Sequence, residues 1–304
     1  MRTKILFLVL ILSGFASNAQ QDAQYTQYMY NTINVNPAYA GSRSVMSIFG
    51  LHRTQWIGID GAPVTNTLSL NTPIKDTKLG FGLSFVNDKI GPTTQNDISA
   101  DISYTIQTSE TYNLSFGIKA SANLFNLDKN KLNIYDPNEL VLMNLNNYFT
   151  PNFGAGVYLH SDKSYLGLSV PNLFNSKRYS DNDINIYTQK MNLYFIGGYV
   201  FDVSSDVKFK PSFLTKVVQG APLQLDLSGN FLINEKFVLG AAWRWSAAAS
   251  LMAGFQVSDG MYIGYGYDLE TTKLRKYNSG SHELFLRFEF NKKSKEKIKS
   301  PRFF

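Results

Sequence analysis

The chain has 304 residues, of which 44% are hydrophobic, 14% aromatic and 17% charged, and it contains no cysteine. The absence of cysteine excludes disulfides, thiolate metal sites and a lipid-modified N-terminal cysteine. The formal net charge of +6 is unevenly placed: Arg2 and Lys4 carry two positive charges and residues 291–304 carry a net of five, which leaves one net negative charge in between. Such a near-neutral body is not that of a basic nucleic-acid-binding protein, and we expect no nucleic-acid partner.

The first 19 residues predict a signal peptide. A basic start precedes an apolar run over residues 5–12, and small residues follow, with Ser17 and Ala19 at the two positions of a signal-peptidase site. The run is shorter than the roughly 20 apolar residues that a membrane-spanning helix needs. The mature chain is therefore expected to begin at Gln20.

Residues 20–42 match no regular element. The segment contains QYTQYMYNTI and NVNPAYAGS and is rich in aromatic and amide side chains. Proline interrupts it, and its apolar residues follow neither a helical nor a strand period. Its role depends on the region that comes next.

Residues 43–290 alternate between apolar and polar side chains in one segment after another. In NDISADISYTIQ, residues 96–107, one face carries Ile98, Ala100, Ile102, Tyr104 and Ile106. A period of two predicts β-strands with one apolar face. We count fourteen such segments, many of about ten residues, a length that suits tilted membrane spans, and we predict no helical layer to cover them. The sequence therefore predicts an all-β fold, a transmembrane antiparallel β-barrel of 14 strands, whose outer face contacts outer-membrane lipid.

The connections between these segments are predicted to alternate in length. Short turns are expected at residues 75–78, 108–111, 161–164, 203–206, 233–236 and 258–260. Mostly longer connections are expected between them, at residues 56–63, 87–95, 125–150, 172–188 and 269–280. Outer-membrane barrels have short periplasmic turns and longer outer loops. An even number of strands then places both termini in the periplasm.

Several charged residues fall on the polar faces of the predicted strands and would point into the barrel. They are Asp101, Lys119, Lys208, Lys210, Lys216, Asp226, Glu283, Arg287 and Glu289. Their signs are mixed, whereas a selectivity ring carries one sign. We therefore interpret them as pairing with one another or with a plug.

No pattern in the sequence indicates an enzyme. The HExxH, GxSxG and P-loop motifs are absent. Ser281 and His282 are adjacent, but neighbours along a strand point to opposite faces, which argues against a hydrolase pair. Gly264 and Gly266 in YIGYGYD are interpreted as small inward-facing residues rather than a phosphate-binding loop. We predict no catalytic residues, no cofactor and no metal site.

Two segments outside the strands are candidates for partner binding. In the loop WIGIDGAP, the candidates are Trp56, Asp60 and Pro63, although a tryptophan at a strand end is also a common interfacial anchor. The tail, residues 291–304, is basic enough to touch anionic lipid head groups, but it ends in SPRFF. We expect this end to dock on a periplasmic protein through Ser300, Pro301, Arg302, Phe303 and Phe304.

The N-terminal segment, residues 20–42, is predicted to fold back into the barrel as a plug. Backbone without regular structure is tolerated at membrane depth only where it is buried in protein or lines a cavity. The amides and hydroxyls of the segment would meet the inward charges while its aromatic side chains fill volume. The residues assigned to the plug are Tyr25, Tyr28, Tyr30, Pro37 and Tyr39. A strap that docks in the periplasm is the alternative.

Nine motifs, taken in order along the mature chain, resemble one family. They are QYTQYMYNTINVNPAYAGS, WIGIDGAP, VNDKIGP, PNFGAGVYL, YLGLSVPNLF, FKPSFL, GYGYD, GSHELFL and SPRFF. Together they resemble the PorP/SprF family of type IX secretion system membrane components. The resemblance implies a non-enzymatic outer-membrane barrel that handles or anchors exported surface proteins such as gliding adhesins and contacts periplasmic components. A FadL-like channel for hydrophobic small molecules is the alternative, and an outer-membrane hydrolase has the least support.

Overall fold

The computed structural model describes residues 25–131, 148–179 and 185–290. The predicted signal peptide, residues 1–19, and the predicted docking tail, residues 291–304, lie outside these ranges. Among the described residues no helix is long and apolar enough to cross a membrane.

The described chain is built almost wholly of strands. They are β1 (Met46–Thr54), β2 (Val64–Pro73), β3 (Leu79–Ile90), β4 (Thr93–Gln107), β5 (Asn113–Leu127), β6 (Tyr148–His160), β7 (Ser164–Val170), β8 (Ser176–Tyr179), β9 (Asn185–Gln189), β10 (Asn192–Tyr199), β11 (Phe201–Asp202), β12 (Val207–Val218), β13 (Gln224–Ile233), β14 (Phe237–Arg244), β15 (Ala248–Ser258), β16 (Met261–Glu270) and β17 (Ser281–Phe290). Short 3₁₀ turns precede β1 at Tyr28–Tyr30, Thr32–Asn34 and Pro37–Tyr39, and two more lie at Lys129–Lys131 and Lys273–Lys276.

Antiparallel pairing closes fourteen of these strands into a barrel. The first and last strands pair along their whole length, from Met46 opposite Phe290 to Thr54 opposite His282. The ring is completed where β10 pairs with both β7 and β12. Strand β11 continues β10 beyond Val200, and β8 and β9 form a separate hairpin. The prediction of a 14-strand antiparallel barrel is confirmed.

The alternation of side chains follows the predicted phase. Ile102 and Phe116 are exposed on the outer face, whereas Ser103 and Ser115 on the same strands are buried inside. Opposite charges and hydroxyls thus line the lumen, and apolar side chains form the outer band that a membrane barrel needs.

Connections at the two ends of the barrel differ in length, but less regularly than predicted. At the end where β1 begins, every connection is short; we call this the short-turn end, and the opposite end the long-connection end. The predicted long connection 87–95 is wrong, because β3 continues to Ile90 and β4 begins at Thr93. The apolar alternation stops before these strands do, since polar residues such as Asn87 and Asn96 still pair across them, at 2.8 Å.

The other long connections also contain more strand than the sequence indicated. The predicted connection 125–150 is shortened at both ends, because β5 reaches Leu127 and β6 begins at Tyr148. The predicted connection 172–188 includes the β8–β9 hairpin. Backbone pairing there continues without the apolar period that identifies a membrane strand.

Candidate functional site: the barrel lumen and its N-terminal segment

The described part of the N-terminal segment, residues 25–42, lies inside the barrel. It runs from the long-connection end to the short-turn end. Near the first end, Arg244 Nη2 donates to the carbonyl oxygen of Tyr25, at 3.2 Å. Near the second, the backbone N–H of Gly41 donates to Asn71 Oδ1, at 2.5 Å. The short-turn end is also where β1 begins, so the segment leads directly into the barrel wall.

A buried charge network holds the start of the segment. Arg53 Nη2 donates to Asp268 Oδ2 at 2.6 Å, and Arg53 Nη1 donates to Glu283 Oε2 at 3.1 Å. The backbone N–H groups of Thr26 and Gln27 donate to the two oxygens of Glu283, at 3.0 and 2.9 Å. The Thr26 hydroxyl donates to Asp268, at 2.7 Å. The guanidinium of Arg53 and the carboxylates of Asp268 and Glu283 therefore form one network, which holds the backbone of Thr26 and Gln27 and the side chain of Thr26.

Further along, backbone carbonyls of the segment accept hydrogen bonds from the wall. Lys119 Nζ donates to the carbonyl of Ile33 at 3.4 Å, and Ser169 Oγ donates to that of Val35 at 2.6 Å. Ser103 Oγ donates to the carbonyl of Ala40, at 2.5 Å. The wall supplies the partners that an irregular backbone at this depth requires.

The wall and the segment approach each other as closely as backbone allows. A side chain added at Gly117 of β5 would collide with the backbone of Pro37 and Ala38, and one added at Gly80 of β3 would collide with Ala40 and Gly41. Glycine is the residue that permits such contact. The fit of these positions indicates that the segment is a resident part of the barrel interior.

Aromatic side chains fill the centre of the lumen. The ring of Tyr30 lies 5.0 Å from that of Phe285 and 5.6 Å from that of Tyr262. Tyr39 packs edge-on against Tyr158, with ring centroids 5.5 Å apart. Aromatic pairs at these distances add to the free energy gained by burial.

The residues assigned to the plug by sequence differ in exposure. Tyr28, Tyr30, Pro37 and Tyr39 are buried, and Tyr25 is half-buried with its hydroxyl 3.0 Å from Thr67 Oγ1. The structure therefore brings all five inside the barrel.

Most of the predicted inward charges have partners of opposite sign. The ion pairs are Asp101 with Lys119, Asp226 with Arg244, Glu283 with Arg53, Glu289 with Arg43 and Arg287, and, at the exposed rim, Lys208 with Glu235. Lys210 lies over the ring of Tyr30, at 5.3 Å, and Lys216 over that of Tyr194, at 5.7 Å. Sequence reasoning missed Arg43, Arg53, Arg244 and Asp268.

A cavity opens at the long-connection end above the segment. Its volume is about 140 Å³. Tyr25, Tyr28 and Asn34 contribute to its lining, together with charged side chains from β3, β4, β5, β12, β13 and β14. The lumen beneath is occupied by the buried side chains described above.

The three outer-loop candidates are not equally accessible. Asp60 is exposed and Trp56 is half-buried, with its indole N–H donating to Glu270 Oε2 at 3.1 Å. Pro63 is buried. The Trp56 contact ties this loop to the β16–β17 connection, as does the 2.9 Å bond from Ile57 N–H to the carbonyl of Gly280.

Ser281 and His282 point to opposite faces of β17. The Ser281 hydroxyl is buried and accepts from the backbone N–H of Trp56, at 3.1 Å. His282 faces outward and contacts the hydroxyl of Tyr265. Among the described residues, no three His, Cys, Asp or Glu side chains are grouped as a metal site would require.

Comparison with protein families decides which family these features belong to. Residues 17–288 match the family described as type IX secretion system membrane protein PorP/SprF. The chain belongs to the PorP/SprF family. Membership and the closed barrel together place this PorP/SprF protein in the outer membrane. Comparison with curated protein sequences gives no significant match.

Solved outer-membrane proteins share the architecture of this PorP/SprF chain. The Ralstonia pickettii toluene transporter TbuX has a TM-score of 0.51 and 8% identity, covering 91% of this chain and 96% of that one. The CymD monoaromatic hydrocarbon channel has a TM-score of 0.50 and 12% identity, covering 92% and 96%. A Pseudomonas aeruginosa FadL homologue has a TM-score of 0.42 and 13% identity, covering 81% and 89%. At such identities the likeness to TbuX and CymD concerns the fold alone.

Proposed function

We propose that this PorP/SprF protein is a non-enzymatic docking barrel of the type IX secretion system. It binds or anchors an exported surface protein, such as a gliding adhesin, and contacts periplasmic components of the machine. The observation that carries the proposal is the filled lumen. Residues 25–42 occupy the interior with hydrogen-bonded backbone and packed rings, so the described structure favours a plugged barrel that holds partners at its ends over an open pore.

The periplasmic contact is assigned to the tail. Residues 291–304 combine six cations with a terminal SPRFF, and an Arg-aromatic end suits a pocket in a protein better than a lipid surface. Deleting residues 300–304 is therefore expected to leave the barrel inserted but release it from its periplasmic partner. Replacing Lys292, Lys293, Lys295, Lys297 and Lys299 by glutamine is the matched control and should have the smaller effect. The opposite order would assign the tail to lipid head groups instead.

The outer contact is assigned to the loop that contains Trp56 and Asp60. Asp60 is its exposed polar residue, while Trp56 anchors the loop to Glu270. A partner on the cell surface would therefore meet Asp60 directly and depend on Trp56 for the shape of the loop. Pro63, being buried, would act only through the turn.

Affinity purification from the native outer membrane tests the proposal. The tagged full-length protein should retain secretion-system components and an exported surface protein. A barrel of unrelated function from the same membrane serves as the control. Recovery of neither class of protein would contradict the docking function.

A second candidate function, binding of a hydrophobic small molecule, is favoured by one feature of the wall. Strand β12 pairs with β10 as far as Gly198 opposite Ser212, and it pairs with β11 again where Phe201 lies opposite Phe209. The pairing is interrupted between these two points, where Pro211 of β12 has no N–H to donate. An apolar depression of about 600 Å³ lies there. It is lined mainly by Leu166, Tyr199, Phe201, Phe213 and Leu227.

Filling this depression tests the second candidate. Leu227→Trp should remove a hydrophobic molecule that mass spectrometry finds with the purified protein. Leu251→Trp, at another exposed leucine of the outer face, is the control and should leave that molecule in place. Equal lipid content in all three proteins would mean that only ordinary membrane lipid covers this wall.

A further inference from the structure

The cavity at the long-connection end is closed from below. Tyr25, Tyr28 and Asn34 of the N-terminal segment line it, and beneath them the lumen is occupied by buried side chains. A molecule that enters this cavity must leave by the same mouth. The cavity therefore suits the holding of a ligand rather than its passage.

The two sides of the cavity differ in charge. Asp88 on β3 and Asp97 on the neighbouring β4 lie on one side, where Thr65 and Asn123 donate hydrogen bonds to them at 2.6 Å each. Lys216 on β12 lies on the other side, five strands further around the ring. Three more charged residues line the cavity and are paired: Lys119, next to the aspartates, with Asp101, and Asp226 with Arg244 next to Lys216. Facing walls of opposite sign favour a ligand that carries both signs of charge.

Polar atoms between these walls have no partner among the described residues. Both amide atoms of Asn34 and the hydroxyl of Ser84 are buried, line the cavity and make no hydrogen bond within the described chain. The Ser84 side chain is only 6% exposed. An asparagine amide offers one acceptor and two donors, and so complements a peptide group, which offers one donor and one acceptor.

We propose that this cavity binds an extended peptide segment of mixed charge that belongs to an exported protein. The Asn34 amide pairs with a peptide group of the ligand, basic side chains of the ligand face Asp88 and Asp97, and acidic ones face Lys216. A neutral glycan would use neither charged wall, and an anionic one would use only the side of Lys216. The inference rests on the proposed docking function and names the site and the chemistry of the partner.

Photo-crosslinking in the native outer membrane tests this site. The full chain carries p-benzoylphenylalanine in place of Gln95 or of Asn172, two half-buried residues that line the cavity. The control position is Ser205, an exposed residue at the short-turn end. Crosslinked peptides identified by mass spectrometry should come from one recurrent segment of type IX-exported proteins, at yields well above those from the control position.

A pair of substitutions makes the test specific. Asn34→Leu should lower the crosslink yield by about tenfold, the effect of one lost hot-spot contact. Asn66→Leu changes an exposed asparagine near the same end and should leave the yield unchanged. Gel mobility of the unboiled protein checks that both variants are folded.

Other outcomes separate the two proposals. Crosslinks to the chain's own residues 20–24, to glycan, or at no more than the control yield would overturn the cavity assignment. If exported proteins still co-purify in that case, the docking function stands and only this site falls. If no exported protein co-purifies and no crosslink forms, both proposals fall.

Discussion

Arg53 joins two carboxylates and the start of the N-terminal segment in one buried network. Its side chain is 2% exposed, and those of Asp268 and Glu283 are 5% and 0% exposed. Arg53→Ala would leave both acids without their shared cation. We expect the free energy of unfolding to fall by about 3–5 kcal/mol, the usual effect of breaking a buried pair. Denaturant titration of the barrel refolded in lipid vesicles measures it.

An exposed ion pair provides the control for Arg53. Lys163 Nζ lies 2.6 Å from Asp202 Oδ2, but both side chains are about half exposed. Lys163→Gln should barely move the unfolding midpoint, because water screens such pairs. Equal losses in the two variants would show that the buried network does not stabilise the fold.

Gly117 is the position where the fit between wall and segment can be tested most simply. Gly117→Val places a side chain against the backbone of Ala38. We expect the N-terminal segment to be displaced and to become cleavable in limited proteolysis. Gly50→Val is the matched control, because nothing lies within 4 Å of its new Cβ. Unchanged protection in Gly117→Val would contradict a tightly fitted segment.

At the scale of the strand, the lipid-facing side chains make a depth-dependent prediction. Ile102 lies in the middle of the apolar stretch of β4, and Ile106 lies near its short-turn end. Ile102→Arg should cost about 2–4 kcal/mol, and Ile106→Arg much less, because the cost of arginine falls towards the membrane interface. Unfolding titrations in lipid vesicles compare the two. Equal costs would mean that the membrane lies elsewhere on the barrel.

The strands could be predicted from sequence because successive side chains of a strand point to opposite faces, and only the lipid-facing side of a membrane barrel must be apolar. Both effects give a period of two residues. Polar inward residues gave no sign of how tightly the lumen is filled. From alternation alone, Ser103 and Ser115 are expected to tolerate arginine better than the lipid-facing positions do. Both are buried, and Ser103 bonds to the carbonyl of Ala40. Arginine at Ser103 would meet the N-terminal segment, so we expect this lumen position to tolerate arginine no better than the lipid-facing ones.

The end of β3 and the inward face of β1 show what alternation cannot predict. The polar residues 87–89 still pair as strand outside the apolar band, where nothing imposes a hydrophobic period. On β1, Phe49 and Leu51 face inward beside Arg53 because aromatic residues such as Tyr30 and Phe285 fill the lumen there. Apolar side chains that face the lumen can be explained only when the segment inside the barrel is known.

For the whole molecule, the direction of the N-terminal segment could not be predicted. The sequence predicted a segment inside the lumen and both termini in the periplasm. Tyr25, the first described residue, lies at the long-connection end, and the segment crosses the lumen before β1 begins at the short-turn end. The location of the termini stays a prediction, because residues 1–24 and 291–304 lie outside the described chain.

We infer that residues 25–42 close the lumen, so that this PorP/SprF barrel docks partners instead of conducting solutes. Conductance in planar lipid bilayers tests it most directly, comparing the full-length protein with a variant that lacks residues 25–40. Strand content and gel mobility of the unboiled protein establish that the variant still forms a barrel. We expect no steady conductance from the full-length protein and clear conductance from the variant. Equal conductance from two folded barrels would contradict it.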